Sequence, residues 1–323
     1  PIYYIKAAFK GRLGVLLAGF FAVAITLALG FMGNMVQSNS IGDAFHTAFG
    51  VPKWIMGLLV AGVCAFIFLG GVQRIAAFTE KLVPIMACFY IIGSLIAIFM
   101  NANQILPAIA SIFVGAFKPQ AVLGGVLGVS IKEAMRYGVA RGLFSNEAGM
   151  GSTPHAHALA KVAKPQDQGV VAMVGVFIDT FVVLNMTALV ILTSGVLGTA
   201  DANGELLSGT ALAQAAFNHA FGSFGSAFVA ICLLFFAFST IIGWYFFGEQ
   251  NVKYLLGLRW VPSYRVLVLC FLMLGSFLHV GLVWELADFF NGIMVIPNVI
   301  ALLALSGLVT KVLKDYEGKF LVG

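Results

Sequence analysis

Eight stretches of the chain stay apolar for about 20 residues, the length an α-helix needs to cross a hydrocarbon layer. They run at roughly 13–36, 54–73, 82–100, 121–144, 169–194, 224–247, 264–283 and 286–310. In such a layer every backbone N–H and C=O must find a partner within the protein, so only helices and closed barrels can span it. The runs are continuous rather than alternating, which selects helices. The fold class read from this is an all-α polytopic membrane protein. Composition agrees: the 323 residues are 61% hydrophobic and 10% charged, against about 25% charged in a soluble domain. Ile105–Phe117 is apolar but short, with Pro107 near its start, and is expected to be an interfacial or re-entrant helix. The polar gaps are short, so residues 1–323 read as a single transmembrane domain.

The charges orient the bundle. With the N-terminus inside, the inner segments hold Lys6, Lys10, Arg12, Arg74, Lys81, Lys161, Lys164, Lys253, Arg259, Arg265, Lys311, Lys314 and Lys319. The outer segments hold only Lys53 and Lys118, and Lys132, Arg136 and Arg141 lie in the fourth run. This bias places both ends of the chain in the cytoplasm. It also accounts for the net charge of +5 without a nucleic-acid partner, for which no motif is present. Cys64, Cys88, Cys232 and Cys270 fall inside apolar runs with no CxxC pair, and are expected to be structural thiols. The chain opens on Pro1 with no signal-peptide pattern, and is expected to be the later part of a longer polypeptide.

One segment breaks the apolar pattern at membrane depth. Gly142-Leu-Phe-Ser-Asn-Glu-Ala-Gly-Met-Gly-Ser-Thr-Pro154 is rich in the weakest helix formers and carries three hydroxyls, an amide and a carboxylate. A backbone that opens inside a bilayer has to be buried in protein or line a wet cavity. Glu147 is expected to lock nearby backbone amides, and His155 and His157, two apart, do not share a helix face on which to hold a metal.

Other polar residues in the runs are costly and therefore functional candidates. Asn34 and Gln37, three apart on one helix face, each offer donor and acceptor, which suits a zwitterion; two amides closing a helix end is the alternative. Lys132, Glu133, Arg136 and Arg141 imply a wet cavity or structural ion pairs. Asp179, with Thr180, Asn185 and Thr187, suggests cation coordination or a pair with Arg136 or Arg141. Ser239 and Thr240 form a hard-oxygen site of the kind alkali cations need, although such hydroxyls also bond back to their own helix. Trp244 follows Thr240 by one turn and is placed to wall a small pocket. A membrane enzyme using Glu147, His155 and His157 would need an HExxH or Gly-x-Ser-x-Gly pattern, which the chain lacks. A channel would need a filter-like repeat, and none is visible.

Five stretches together resemble the alanine/glycine–cation symporter family: Gly33–Gln37, Gly138–Ser152, Phe177–Thr180, Phe236–Trp244 and Asp288–Asn298. The resemblance covers essentially the whole chain. It implies a leucine-transporter-like core of inverted repeats, with the eight spans here as core helices three to ten and a preceding helix one that supplies half of the site. It implies a sodium-coupled symporter that imports alanine, glycine or a similarly small neutral amino acid across the cell membrane. Sodium is then the coupling ion, there is no other cofactor, and the protein is expected to be a monomer in the bilayer. Carried over by position, Gln37, Asn34, Phe144, Ser145, Asn146 and Trp244 fall at the substrate, with Phe144 to Asn146 at the break. Ser239, Thr240, Asp179, Thr180 and Asn185 fall at sodium.

Overall fold

In a computed structural model, residues 1–117, 131–201, 204–278 and 280–320 are described. Twelve helices are named here: α1 (Ile2–Ala8), α2 (Arg12–Phe49), α3 (Lys53–Leu69), α4 (Gly71–Met100), α5 (Ile105–Phe117), α6 (Ile131–Asn146), α7 (Pro165–Ser194), α8 (Gly209–Phe221), α9 (Phe224–Leu256), α10 (Val261–Phe277), α11 (Val280–Ala304) and α12 (Ser306–Phe320). A single helical turn, Pro154–His157, lies between α6 and α7. Among the described residues, six helices are long and apolar enough to cross a membrane, and α3 and α5 are apolar but shorter.

The core is built around α2. It packs against α3, α9, α10 and α11, and Ala18, Ala22, Ala24 and Ala28 are buried along it. Lipid tails are as apolar as leucine, so helices in a bilayer associate through close packing of small residues and a few polar ties. The ties are present. Ser38 donates to the Leu272 carbonyl at 2.7 Å, and Asn39 donates to the carbonyls of Gly275 and Leu278 at 2.8 and 2.9 Å. Gln214 of α8 donates to Ala44 at 3.0 Å and Ser226 at 3.2 Å. Aromatic rings fill the remaining volume, with Tyr245 of α9 stacked on Phe68 of α3 at 3.6 Å between centroids.

Two helices contain a wider turn. Thr26–Gly33 in α2 and Ile178–Val183 in α7 are π-helical. Such insertions are rare and concentrate at functional sites.

Several boundaries differ from the apolar runs. The first run was expected to end near residue 36, but α2 continues to Phe49, so Asn34 and Gln37 sit mid-helix rather than at its end. α3 and α4 meet at Gly70, and Arg74 and Lys81 lie within α4, not in a connecting segment. The seventh and eighth runs end at Phe277 and Ala304. Hydropathy marks where lipid contact is tolerated, whereas a helix continues for as long as its backbone bonds do. The short helix Ile105–Phe117 forms as expected. Residues 121–130 of the fourth run and Lys118 lie outside the described residues, as do the side chains of Lys132 and Glu133.

Candidate functional site

Around the expected break, α6 remains helical through Asn146, so Phe144, Ser145 and Asn146 form its last turn and the break follows them. It begins at Glu147, whose φ of 54° is in the left-handed region. A non-glycine residue rarely adopts that conformation, and where one does the surroundings hold it there. The chain then turns through Gly149 and reaches Gly151 at φ 83°. At Gly151 a Cβ would come within 2.7 Å of Asn298 and 2.9 Å of Phe21.

What holds Glu147 is its side chain. Its two carboxylate oxygens accept hydrogen bonds from the Trp244 indole N–H and from the Ser152 hydroxyl. The expected lock is therefore made to two side chains, not to backbone amides. Trp244 is 3% exposed. Its ring meets Phe144 edge-on, with centroids 5.2 Å apart and planes at 85°. It also lies flush on α2 at the end of the first π-turn, where a Cβ on Gly33 would stand 2.6 Å from the indole. Beside this contact Asn34 is fully buried. Its amide donates to the Gly30 carbonyl at 3.0 Å, while its side-chain oxygen has no partner among the described residues. Gln37, one turn on, is half-buried. The structure thus brings Trp244 and Phe144 together against Gly33, the residue next to Asn34.

A second group lies on the face of α6 that meets α7. Ser145 donates to both oxygens of Asp179, at 3.1 and 2.9 Å. Asn146 donates to the Thr180 hydroxyl at 3.4 Å and accepts from the Ala148 N–H at 2.9 Å. Asn185 donates to the carbonyls of Thr180 and Phe181, each at 3.1 Å. Asp179 does not pair with Arg141, as the charges alone had allowed. Arg141 instead reaches α11, where it forms a two-pronged bond to Asp288 at 2.6 and 3.1 Å with its guanidinium 4.1 Å over Trp284. Arg136 lies over the Tyr137 ring at 5.5 Å.

Ser239 and Thr240 both donate to the Phe236 carbonyl at 2.9 Å. Ser239 also approaches the Met86 sulfur at 3.9 Å. It therefore faces α4, and no contact places it in either group above.

The return of the chain toward α7 is tied down by amides the sequence did not single out for a role. Asn298 of α11 donates to the Gly149 carbonyl at 2.8 Å and accepts from Tyr4. Asn251 of α9 bonds His155 at 2.9 Å, and the other ring nitrogen of His155 meets the Ser152 carbonyl at 2.8 Å. An amide donor at one nitrogen and a carbonyl acceptor at the other fix a neutral imidazole with its proton toward Ser152. Burial against Phe21 and Phe247 lowers its pKa to about 4, in keeping with that form. Sequence alone had no means of pairing these residues, which are separated by 96 to 294 positions. The usable signal was that an Asn in an apolar run must bond something.

A bundle of bilayer-length apolar helices packed around α2, with a polar, glycine-rich turn after α6, defines a multi-pass membrane protein. The chain belongs to the sodium:alanine symporter family, whose model matches residues 1–322. It is a family of transporters, not of enzymes. The chain is 40% identical over 321 residues to the sodium/alanine symporter AgcS of Methanococcus maripaludis, covering 98% of this chain and 69% of the relative. It is 38% identical over 318 residues to the amino-acid carrier protein AlsT of Bacillus subtilis, covering 98% and 65%. It is 41% identical over 318 residues to the probable sodium/glutamine symporter GlnT of Bacillus subtilis, covering 98% and 64%. The chain thus spans about two-thirds of the length of these relatives.

Proposed function

We propose that the chain is the greater part of a sodium-coupled symporter that carries alanine, glycine or another small neutral amino acid into the cell by alternating access. Family membership supports sodium-coupled amino-acid transport, and the printed names of the relatives include both alanine and glutamine. In this reading the helices form core helices three to ten of a leucine-transporter-like inverted repeat, as one transmembrane domain working as a monomer in the cell membrane with both ends cytoplasmic.

One observation carries the choice of a small substrate. The Trp244 indole fills the space between the end of α6 and the Gly33 surface of α2, so side-chain room beside the break is limited by an aromatic wall. Phe144, Ser145 and Asn146 offer the last turn of α6, and Asn34 and Gln37 offer amides from α2. The unpartnered oxygen of Asn34 is an acceptor suited to an ammonium group. For sodium, Ser239 and Thr240 spend their protons on the Phe236 carbonyl, which leaves their lone pairs available to a cation. Asp179, Thr180 and Asn185 gather a carboxylate, a hydroxyl and occupied carbonyls beside Ser145, and form the second sodium group of the proposal. Sodium entry at a negative membrane potential supplies about 2.3 kcal/mol per charge per 100 mV, plus the concentration term.

The test is uptake of labelled amino acids by cells expressing the protein. Native protein should take up alanine only with an inward sodium gradient. Ser239→Ala with Thr240→Ala should abolish the sodium dependence, and Trp244→Ala should raise leucine uptake relative to alanine. Unchanged sodium dependence would overturn the ion assignment, and unchanged selectivity would overturn the wall.

A further inference from the structure

We infer that Glu147 is a specificity-positioning residue: its carboxylate holds the Trp244 indole in the orientation that sets the size of the accepted side chain. This rests on the reading of Trp244 as the pocket wall.

The geometry gives the indole two fixed points. Its N–H end is bonded to one oxygen of Glu147. Its six-membered ring abuts α2 where Gly33 leaves no room for a Cβ. Phe144 closes one side, with the planes of the two rings at 85°. A buried N–H without an acceptor is costly, so an indole deprived of Glu147 would turn until it found another partner. Glu147 is itself immobilised from three directions. Its own N–H donates to the Leu143 carbonyl at 2.9 Å, its carbonyl accepts from Met150 at 3.1 Å, and its second carboxylate oxygen accepts from Ser152. The left-handed backbone at Glu147 is what aims the carboxylate back across the break at α9. The conformation of the break and the width of the pocket are in this way set by the same side chain. A carboxylate serving only to cap the loop would need no contact with α9.

The experiment compares leucine-to-alanine uptake ratios in cells expressing the native protein and Glu147→Ala, Glu147→Gln, Trp244→Phe and the double variant Glu147→Ala/Trp244→Phe. Glu147→Ala and Trp244→Phe should each raise the ratio about tenfold, the scale on which a loosened apolar wall discriminates one side chain from another. The double variant should add nothing to either single change. Glu147→Gln keeps an oxygen for the indole N–H and should restore the native ratio. A Glu147→Ala protein that transports more slowly at an unchanged ratio would overturn the inference, because loop damage alone has that effect. If Glu147→Ala does not reach the membrane, Glu147→Met decides: it keeps the length of the side chain but offers the indole N–H no carboxylate oxygen, and an unchanged ratio overturns the inference.

A spectroscopic readout separates this from failure of the pocket reading. The indole N–H marker in ultraviolet resonance Raman, taken as native minus Trp244→Phe, should report a strong hydrogen bond that weakens in Glu147→Gln less than in Glu147→Ala. If that marker is insensitive to Glu147, the positioning role is wrong whatever the uptake shows. If the marker responds but Trp244→Ala leaves selectivity unchanged, the pocket reading is wrong, and the specificity role falls with it.

Discussion

The two π-turns of the molecule are alike in backbone and opposite in surroundings. In both, an asparagine donates to carbonyls at the widened turn: Asn34 to Gly30 in α2, and Asn185 to Thr180 and Phe181 in α7. Yet Thr26, Ala28, Leu29, Gly30, Phe31 and Gly33 of the first are buried, and no residue of the second is. The same holds for whole helices. The most apolar window of α2 is 56% buried, against 6% for that of α7. Both of these windows are strongly apolar, so hydropathy does not separate a helix locked in protein from one that exposes its face. The difference lies in small residues. Alanines and glycines bring α2 against its neighbours, while α7 presents Val171, Met173, Phe177 and Phe181 outward. A wide turn inside the locked helix fixes a surface for Trp244. One in the open helix leaves Asp179 and Thr180 held, among the described residues, by side-chain hydrogen bonds to the end of α6.

Substitutions on the two sides should bear this out, and the largest effect belongs to the locked side. Trp244→Ala should cost about 3–5 kcal/mol in reversible unfolding from mixed micelles, as a large buried ring leaves a cavity. Gly33→Val, which drives a side chain into that ring, should cost about 1–3 kcal/mol in the same assay. His155, between Phe21 just ahead of the first π-turn and Phe247, adds a pH term. Its folded pKa of about 4 lies below the unfolded 6.5. As pH falls through 6.5, the unfolded chain takes up a proton that the folded one refuses. Stability is therefore full above 6.5 and falls by up to about 1.4 kcal/mol per pH unit toward 4. The difference in thermal unfolding slope between native and His155→Gln should show it. On the open side, Asn185→Ala should cost only about 0.6 kcal/mol. Phe181→Ala should stay within about 0.5 kcal/mol. If Phe181→Ala proves as damaging as Trp244→Ala, the contrast between the two turns is wrong.

The helices were legible because lipid allows few alternatives: the short apolar run at Ile105 is helical through Phe117, as far as it is described. The stopping points were not. Asn34 and Gln37 looked like a helix end because polar residues cluster there, and α2 passes through them by bonding Ser38 and Asn39 across to α10. In the site, residue types pointed to Phe144, Asn34 and Trp244, of which Phe144 and Trp244 are in contact. The partners of the charged groups did not follow from type. Asp179 could have met either of two arginines, but α6 turns Ser145 toward it and Arg141 toward Asp288 and Trp284 of α11. Glu147 looked like a cap for local amides because a glycine-rich turn exposes them; the left-handed φ that turns it toward Trp244 has no mark in the sequence.

Tyr4 of α1 bonds Asn298, 294 positions later, and Asn298 also holds the turn at Gly149. A ribosome adding about 5–20 residues per second needs roughly 15–60 s to make that partner. For all that time α1 is without the amide that ties it down, and the polar turn after α6, 149 positions before Asn298, waits about half as long. Assembly of this bundle is thus paced by translation, and a pause before α11 would lengthen the interval in which the turn lacks its clasp.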